Sequence, residues 1–297
     1  MADDAGGRDD RGAARVIGVP ETMRTEVLAA RAAGRKVGFV PTMGALHAGH
    51  VSLVDRAAAD CDDVAVSIFV NPTQFGPDED FSRYPRTPEA DTAAVSARGV
   101  RWIFAPPPEA IYPPGWATRV VIDGPARRFE GEIRPGHFSG VATVVCRLFL
   151  AVPADVAYFG AKDWQQTLVV KRMVRDLGLP IDVRVCPTVR EPDGLAMSSR
   201  NAYLSAADRG RAPALAESLA LAAGMWAAGD APPAIERSMR AHLESRGLAV
   251  DYAAVVDAET LEPLAVSRVP AVALVAARLG STRLIDNREL PPRTPRA

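Results

Sequence analysis

The stretch Lys36-Val-Gly-Phe-Val-Pro-Thr-Met-Gly-Ala-Leu-His-Ala-Gly-His50 decides the fold. The apolar segment Lys36 to Val40 runs into a glycine-rich turn and then into the start of a helix, which predicts a strand–turn–helix unit. Backbone N–H groups and the helix dipole favour an anion at such a turn. His47 and His50 fall on one helical face, so both imidazoles can point at the same phosphates. The pattern predicts a nucleotide-binding site.

Short runs rich in Val, Ile and Phe alternate with Ala-rich stretches of helical character through the first two thirds of the chain. This alternation predicts βαβ units, and hence an α/β protein with a Rossmann-like, doubly wound parallel sheet. The predicted strands are Lys36 to Val40, Val64 to Val70, Arg101 to Ala105, Asp155 to Phe159 and Ile181 to Val185. The predicted helices are Thr22 to Ala33, Gly49 to Ala59, Pro88 to Arg98, Ser139 to Val152 and Trp164 to Leu177. Thr87 is predicted to cap the helix at Pro88, with Gly99 and Gly178 at C-terminal ends.

The pattern changes from about Ser205 onward, where helices come first and strands follow. The predicted elements are helices at Ala206 to Ala228 and Ala234 to Arg246, then β-like runs at Val250 to Val256, Val269 to Ala276 and Thr282 to Asp286. Such an order favours a smaller α+β domain. We predict a disordered tail over 1–15, a Rossmann-like domain over 16–187, a C-terminal lid domain over 188–290 and a tail over 291–297. The hinge is expected between Cys186 and Ser205.

The composition favours a small-molecule partner over nucleic acid or a membrane. Lys and Arg number 35 against 36 Asp and Glu, so the formal charge is -1 and no basic field attracts a polyanion. No apolar run approaches the roughly 18 residues of a membrane helix, and the polar N-terminus lacks the apolar core of a secretory signal. Three widely spaced cysteines argue against zinc and disulfides. We expect a soluble, cytoplasmic protein.

A second candidate for phosphate contact is the loop Leu195-Ala-Met-Ser-Ser-Arg-Asn201. Its hydroxyls and guanidinium can hold triphosphate oxygens and stabilise charge as pyrophosphate departs. Lys162, just beyond the predicted strand ending at Phe159, falls at the ligand edge of a parallel sheet. Simpler explanations exist for each feature: a solvated loop with a helix cap, an exposed lysine and, for His47 and His50, incidental histidines or part of a zinc site.

The histidine turn after the first strand, paired with the distant Met-Ser-Ser-Arg loop, resembles the nucleotidylyltransferase and class I aminoacyl-tRNA synthetase superfamily. Within it, the sequence from about Thr22 to Asn287 is similar to the pantothenate synthetase family. The segments that carry this similarity are Pro41-Thr-Met-Gly-Ala-Leu-His-Ala-Gly-His50, Phe69-Val-Asn-Pro-Thr-Gln-Phe75, Tyr84-Pro-Arg-Thr87, Arg134-Pro-Gly-His-Phe-Ser-Gly-Val141, Phe159-Gly-Ala-Lys-Asp-Trp-Gln-Gln166 and Val189-Arg-Glu-Pro-Asp-Gly-Leu-Ala-Met-Ser-Ser-Arg-Asn201.

The resemblance implies an acid–amine ligase that forms AMP. Pantoate and ATP would give pantoyl adenylate and pyrophosphate, and β-alanine would then displace AMP to give pantothenate. The resemblance further implies a need for Mg²⁺ and a homodimeric assembly.

The resemblance also assigns roles to individual residues. It implies that His47, His50, Lys162 and Arg200 are catalytic. The implied ATP-binding residues are Met43, His47, Gly49, His50, Gly160, Lys162, Asp163, Val189, Met197, Ser198, Ser199 and Arg200. The implied pantoate-binding residues are Gln74, Gln166, Met43, Phe69, Val144 and Val145. Arg134 and His137 are implied at the β-alanine end of the cleft, and Asp91 near the metal and pyrophosphate.

Local explanations compete with some of these roles. Asp163 could cap the helix that runs through Trp164 instead of reaching the ribose or a metal. Asp91 could belong to a solvated helix face. The sequence departs from the family pattern at Ala161 and Trp164, where a polar residue and a tyrosine are common. We expect the aromatic packing to survive, while Ala161 removes any contact made by a longer side chain.

Other functions remain open at the level of sequence. A nucleotidylyltransferase that transfers AMP or CMP to a phosphate ester would share the histidine turn but need no pocket for an amine. A nucleotide-sensing module would bind ATP without turnover. An aminoacyl-tRNA synthetase is disfavoured because the chain is short and carries no basic stripe.

Overall fold

The computed structural model describes residues 14–77, 79–264 and 269–293. The strands are β1 (Arg15–Ile17), β2 (Val37–Thr42), β3 (Asp63–Ile68), β4 (Trp102–Phe104), β5 (Val156–Gly160), β6 (Asp182–Cys186), β7 (Ala249–Asp257), β8 (Ala271–Leu279) and β9 (Thr282–Leu290). The helices are α1 (Pro20–Ala32), α2 (Ala48–Asp60), α3 (Pro88–Ser96), α4 (Pro108–Ile111), α5 (Glu130–Ile133), α6 (His137–Ala151), α7 (Trp164–Leu177), α8 (Ala206–Arg211), α9 (Ala214–Ala228) and α10 (Pro232–Ser245). Short 3₁₀ turns lie at Pro72–Gln74, Ala161–Asp163 and Ser199–Tyr203.

The larger sheet has six parallel strands in the order β1-β4-β3-β2-β5-β6. The chain moves outward from β2 through β3 to β4, and then returns to the other side of β2 with β5 and β6. The strand order therefore reverses between β2 and β5, which is where open α/β sheets bind their ligands, beyond the carboxyl ends of the strands. The predicted Rossmann-like, doubly wound α/β fold is confirmed.

Side chains of alternate strand residues fill two apolar cores, one on each face of this sheet. Phe39 of β2 belongs to the core under α1, α6 and α7, whereas its neighbour Val40 packs with α2 and α3. Both residues are fully buried. This alternation is the period-two consequence of strand geometry, and the burial of both faces explains why β2 is apolar from Val37 to Pro41.

The smaller sheet is antiparallel, in the order β7-β8-β9. Helices α9 and α10 cover one of its faces around Trp226 and Met239. Its other face, with Val256 and Leu274, packs on Trp164 of α7. The Trp164 indole also donates a hydrogen bond to the main-chain oxygen of Ala258, at 3.0 Å. The predicted α+β arrangement is confirmed, whereas the division into domains 16–187 and 188–290, and the lid role, stay predictions.

Three local predictions were wrong. The single helix predicted over Ala206 to Ala228 is broken into α8 and α9 at Pro213, whose ring and missing N–H interrupt a helix. The predicted tail 1–15 includes Arg15, which pairs in parallel with Trp102 as the first residue of β1. Thr87 precedes α3 but does not cap it, because its hydroxyl donates to the Asp91 carboxylate instead.

The described part of the predicted C-terminal tail, residues 291–293, contacts α9. The Trp226 indole donates to the main-chain oxygen of Pro291 at 2.8 Å, and the Arg293 guanidinium lies 3.7 Å from the centre of the Trp226 ring. Such a contact combines apolar burial with cation–π attraction. Residues 1–13 and 294–297 of the predicted tails lie outside the described residues.

Candidate active site

A cavity of about 230 Å³ lies at the reversal point of the larger sheet. Its walls come from the turn after β2, the ends of β3 and β5, α6 and the loop that leads to Ser199–Tyr203. Nineteen of the twenty residues assigned by the resemblance line this cavity: Met43, His47, Gly49, His50, Phe69, Gln74, Arg134, His137, Val144, Val145, Gly160, Lys162, Asp163, Gln166, Val189, Met197, Ser198, Ser199 and Arg200. The two phosphate-binding candidates, far apart in sequence, therefore face the same space.

Asp91, the twentieth residue, lies behind the turn after β2. Its carboxylate accepts hydrogen bonds from the backbone N–H groups of Ala45 and Leu46, at 2.9 and 2.8 Å, and Asp91 as a whole is 2% exposed. Gly44 must be glycine here, because φ is +82° and a Cβ would come within 2.9 Å of Asp91 Oδ2. The solvated-face explanation is wrong; Asp91 braces the turn, and its metal role stays a prediction.

His47 and His50 stand side by side at the start of α2, with ring centres 4.1 Å apart. His47 Nδ1 accepts from the N–H of Gly49 at 3.1 Å, and His50 Nδ1 accepts from the N–H of His47 at 3.4 Å. Because a main-chain N–H can only donate, the ring proton of each neutral imidazole is on Nε2. Both rings therefore offer an Nε2–H donor. A Cβ on Gly49 would lie 2.8 Å from the His47 ring, so glycine permits this packing.

Burial keeps these imidazoles uncharged. Burial and then the His47 ring lower the pKa of His50 to about 3. Burial and then the Lys162 charge lower the pKa of His47. His137, elsewhere in the cavity, has its pKa lowered to about 4 by burial and then by Arg134. Formal positive charge in this region therefore comes from Lys and Arg side chains.

We expect His50 and His137 to remain neutral throughout the physiological pH range. A pH titration of the ligand-free protein, followed by NMR of the histidine Cε1 protons, should show neither ring titrating between about pH 5.5 and about pH 8, because both pKa values lie below that window. His50→Gln and His137→Gln would assign the two resonances. A midpoint near the ordinary histidine value, lost in either variant, would contradict the expectation.

The loop containing Met197 to Arg200 is joined directly to the histidine turn. Ser199 Oγ donates to the main-chain oxygen of Ala45, at 3.1 Å, although the two residues are 154 positions apart. Ser198 Oγ accepts from the N–H of Arg200 and so begins the 3₁₀ turn. The predicted cap at this loop is confirmed, and it coexists with a position on the cavity wall.

Lys162 lies in the 3₁₀ turn that continues β5, at the carboxyl edge of the larger sheet. Its Nζ is 3.4 Å from Asp163 Oδ1, and its side chain is 21% exposed. Asp163 precedes α7 but makes no capping hydrogen bond, so the competing cap explanation for Asp163 is wrong. Lys162 thus presents a charged ammonium to the same cavity as the histidines.

The two arginines of the cavity are already paired with carboxylates that the sequence interpretation did not consider. Arg200 binds Asp80 with two hydrogen bonds of 3.0 Å. Arg134 binds Glu79 with hydrogen bonds of 2.7 and 2.6 Å and also contacts His137 Nε2 at 3.1 Å. Burial alone would raise the pKa of Asp80 and Glu79, but the arginine contacts outweigh it and lower both pKa values.

The amide of Gln74 is fixed by neighbours on the opposite wall. Its oxygen accepts from Asn71 Nδ2 at 3.1 Å, and its nitrogen lies 3.0 Å from Met43 Sδ. Asn71 is buried, also donates to the main-chain oxygen of Gly140, and lines the cavity, yet it was not among the predicted residues. Its position at the end of β3 was the signal that could have identified it. Gly140 lets α6 approach this turn, because a Cβ there would lie 2.2 Å from Thr73 O.

A second cavity, of about 840 Å³, opens beside the first and shares Gln74, Arg134, Lys162 and Arg200 with it. Its further walls come from the β8–β9 hairpin and from Asp80. Among the residues that the structure describes, no group of three His, Cys, Asp or Glu side chains could hold a metal ion. In the same part of the chain, no helix is both long and apolar enough to cross a bilayer.

This geometry is that of an α/β protein whose histidine turn, Lys162 and serine–arginine loop line one cavity at the carboxyl edge of the larger sheet. The family model described as pantoate-β-alanine ligase matches residues 15–289, and the chain belongs to that family. Among curated relatives, the pantothenate synthetase of Gluconobacter oxydans (strain 621H) is 51% identical over 256 residues, 86% of this chain and 93% of that protein. The pantothenate synthetase of Thermus thermophilus is 53% identical over 261 residues, 86% and 94% of the two chains.

Solved structures agree with this membership. The crystal structure of the Thermus thermophilus pantothenate synthetase superposes with a TM-score of 0.88 at 48% identity, covering 94% of this chain and 100% of the other. The pantoate-β-alanine ligase of Francisella tularensis, described as a complex with β-γ ATP and β-alanine, has a TM-score of 0.79 at 33% identity, with 93% and 97% covered. The chain is an enzyme of this ligase family, and the comparisons support this function over the nucleotidylyltransferase alternative.

Proposed function

We propose that the chain condenses pantoate with β-alanine in an ATP-dependent reaction, through a pantoyl adenylate held in the cavity described above. The observation that carries this proposal is the junction of the histidine turn, Lys162 and the Met197–Arg200 loop in one cavity that also contains Gln74 and Gln166. One end of the cavity thus offers donors suited to phosphates. The other end offers amides beside apolar side chains.

In the first step, a carboxylate oxygen of pantoate attacks the α-phosphorus of ATP, and the bond to the β-phosphate bridging oxygen breaks as pyrophosphate leaves. Catalysis of such a step consists mostly of positioning and of stabilising charge. We assign the Nε2–H donors of His47 and His50 and the Lys162 ammonium to the oxygens that gain charge. Ser198, Ser199 and Arg200 are assigned to the departing phosphates.

The nucleoside end of the site is assigned to the remaining predicted ATP contacts. Gly49 and Gly160 allow a ligand to approach the main chain closely. Val189 and Met197 are assigned to the adenine, and Asp163 to the ribose. Their common position on the cavity wall supports these assignments.

For pantoate, we assign the two hydroxyls and the carboxylate to the amides of Gln74 and Gln166. The gem-dimethyl group would pack against Phe69, Val144 and Val145, each of which is 5% exposed. The Met43 side chain, next to the Gln74 amide, would complete this pocket. Precisely placed polar groups beside an apolar wall are the usual composition of a small-molecule site.

In the second step, the neutral amine of β-alanine attacks the acyl carbon. The acyl C–O bond to AMP breaks, and the amine loses a proton. We assign Arg134 and His137 to the β-alanine end, where Arg134 could attract the carboxylate of this substrate. Because Arg134 is paired with Glu79, this contact requires exchange of one carboxylate for another. No residue of the cavity stands out as the base, so water or a phosphate oxygen is the proposed acceptor.

We propose that Mg²⁺ enters with ATP rather than residing in the protein. Mg²⁺ is commonly held by substrate phosphates and one or two carboxylates, and the described residues offer no cluster that could bind it alone. When bound, the ion would neutralise phosphate charge. The homodimer implied by the resemblance and the cytoplasmic location expected from the sequence are likewise proposals.

Isotope exchange tests the proposed reaction directly. With Mg²⁺, ATP and pantoate present and β-alanine omitted, labelled pyrophosphate should enter ATP, because adenylation is reversible and the intermediate cannot proceed. Omitting pantoate is the control and should abolish the exchange. Failure of exchange in the complete mixture would overturn the adenylate route.

Gln74→Ala should chiefly weaken pantoate binding. The Gln74 amide lies beside Met43 and Asn71 and contacts none of the phosphate-binding candidates, so its loss should raise the KM for pantoate by about 10- to 100-fold, the usual range for a lost polar contact to substrate. The ATP dissociation constant, measured by calorimetry, should change little. An unchanged KM for pantoate with weakened ATP binding would contradict the assignment of Gln74 to pantoate and would place it at the ATP end of the cavity.

A further inference from the structure

Asn287 of β9 holds the main chain at Lys162. Its side-chain amide donates to the main-chain oxygens of Ala161 and Lys162, at 2.9 and 2.7 Å, across 126 and 125 positions of sequence. The residue is only 6% exposed. Both amide hydrogens are therefore used on the 3₁₀ turn that carries Lys162, and this contact comes from the smaller sheet.

Asp286, the preceding residue, holds the other phosphate-binding segment. Its carboxylate pairs with Arg190 through hydrogen bonds of 2.6 and 3.0 Å, and the Asp286 side chain is 1% exposed. Arg190 also donates to the main-chain oxygen of Gly194 and forms an isolated bridge with Ala196. The pair thereby braces the hairpin from which Met197 to Arg200 emerge.

The two contacts diverge because successive strand residues point to opposite faces. Asp286 faces the hairpin at Arg190, and Asn287 faces the turn at Lys162. The main-chain N–H of Asn287 additionally donates to Asp286 Oδ1 at 2.8 Å, so the Asp286 carboxylate is also held by the main chain of β9. A single dipeptide consequently contacts both segments, which follow the paired ends of β5 and β6.

We propose that Asn287, supported by Asp286, is a positioning residue for adenylation. It fixes the position of the Lys162 ammonium relative to the serine–arginine loop. The inference deepens the proposed function and rests on the role assigned there to Lys162. Misplacement by about 1 Å can cost about 100-fold in rate, so a main-chain anchor at this turn has a large effect without touching substrate. The smaller sheet thereby acts on the first chemical step.

The test is a double-mutant cycle of Asn287→Ala and Lys162→Ala, read by the kcat of pyrophosphate exchange. Asn287→Ala should lower kcat by about 10- to 100-fold in the wild-type background, with the KM for pantoate nearly unchanged. In the Lys162→Ala background the same substitution should cost less than about threefold, because a positioning residue has nothing left to position. Additive losses would overturn the inference.

Gln165→Ala is the matched control. Gln165 is 5% exposed, and its amide also donates to two main-chain oxygens, those of Pro125 and Arg128, each at 2.7 Å. Gln165→Ala removes a comparable buried amide whose hydrogen bonds go to other segments than the Lys162 turn. Its effect on kcat should therefore be additive with that of Lys162→Ala. Coupling as strong as that of Asn287 would mean a general structural effect and would contradict the proposal.

Asn287→Asp keeps the volume of the side chain and covers the case in which the alanine variant unfolds. As a carboxylate it cannot donate to the two oxygens, but a protonated carboxyl regains one donor. Its kcat relative to wild type should rise as pH falls from about 8 to about 6, since burial and the facing oxygens favour the protonated form. If the kcat of Asn287→Asp relative to wild type does not change with pH, the proposal that Asn287 positions the turn by donating hydrogen bonds would be contradicted. If Lys162→Ala itself leaves exchange intact, the role assigned to Lys162 fails and the inference fails with it, whereas absence of exchange in the wild type would overturn the proposed function.

Discussion

Replacing Lys162 with alanine should slow pyrophosphate exchange by about 100- to 1,000-fold, which is the usual cost of removing one group that stabilises transition-state charge. His47 and His50 are neutral donors, and both arginines of the cavity are paired, so Lys162 supplies charge that its neighbours do not replace. The measurement is kcat at saturating ATP and pantoate. The free energy of unfolding should change little, because the side chain is partly exposed and its ion pair among the described residues, with Asp163, is 3.4 Å long.

Lys171→Ala is the control for loss of a positive charge. Lys171 lies exposed on α7, away from the cavity walls, so exchange should proceed at nearly the wild-type rate. A matching loss in both variants would indicate a general electrostatic effect. A loss below about threefold in Lys162→Ala would exclude a direct role at the phosphates.

Arg283→Ala should lower the free energy of unfolding by about 3–5 kcal/mol, the usual result of leaving one partner of a buried ion pair alone. Arg283 of β9 binds Glu130 of α5 through hydrogen bonds of 2.6 and 2.7 Å, and its Nε donates to Asp251 at 2.6 Å. Tyr252 donates to the same Glu130 carboxylate at 2.8 Å. Denaturant unfolding would measure the loss at neutral pH.

The difference in free energy of unfolding between the wild type and Arg283→Ala should become smaller as pH falls. Burial alone raises the pKa of Glu130, but the contacts with Arg283 outweigh burial and lower it in the wild type. Without Arg283, burial is opposed by the contacts with Tyr252 and Arg134 alone among the causes named for the wild type, so the folded-state pKa of Glu130 should be higher in the variant than in the wild type. The variant therefore loses less stability than the wild type as Glu130 is protonated. The wild type, with its lowered pKa, loses stability as pH falls.

Arg278→Ala serves as the comparison for this pair. Arg278 is the neighbour of Arg283 across the β8–β9 pairing, and its guanidinium lies 3.7 Å from Asp251. Its side chain is 48% exposed, so its removal should cost less than about 1 kcal/mol. Equal losses from the two arginine substitutions would contradict the importance of burial.

The sequence predicted the sheet well because its strands are buried on both faces and read as apolar runs. It missed β1 because three residues, of which Val16 is 57% exposed, leave almost no pattern. It merged α8 and α9 because alanine is common on both sides of Pro213. Edge strands and single prolines depend on tertiary context, which local periodicity does not contain.

The candidate site was predicted through motifs rather than through geometry. Residues close to each other in the chain, such as His47 and His50, could be placed on one helix face from spacing alone. The pairing of Arg134 with Glu79 joins positions 55 apart, and that of Arg200 with Asp80 joins positions 120 apart. Such contacts have no periodic signature. Asn287 escaped notice for the same reason, since its partners lie in the Ala161–Asp163 turn, 125 and 126 positions away.

The paired arginines change how the free enzyme meets a highly charged substrate. Glu79 and Asp80 serve as internal counter-anions, so incoming phosphates or carboxylates must exchange with them rather than neutralise bare cations. If the substrate contacts these guanidinium groups as proposed, we expect that exchange to offset part of the attraction, so each paired arginine should contribute less to affinity than an unpaired one.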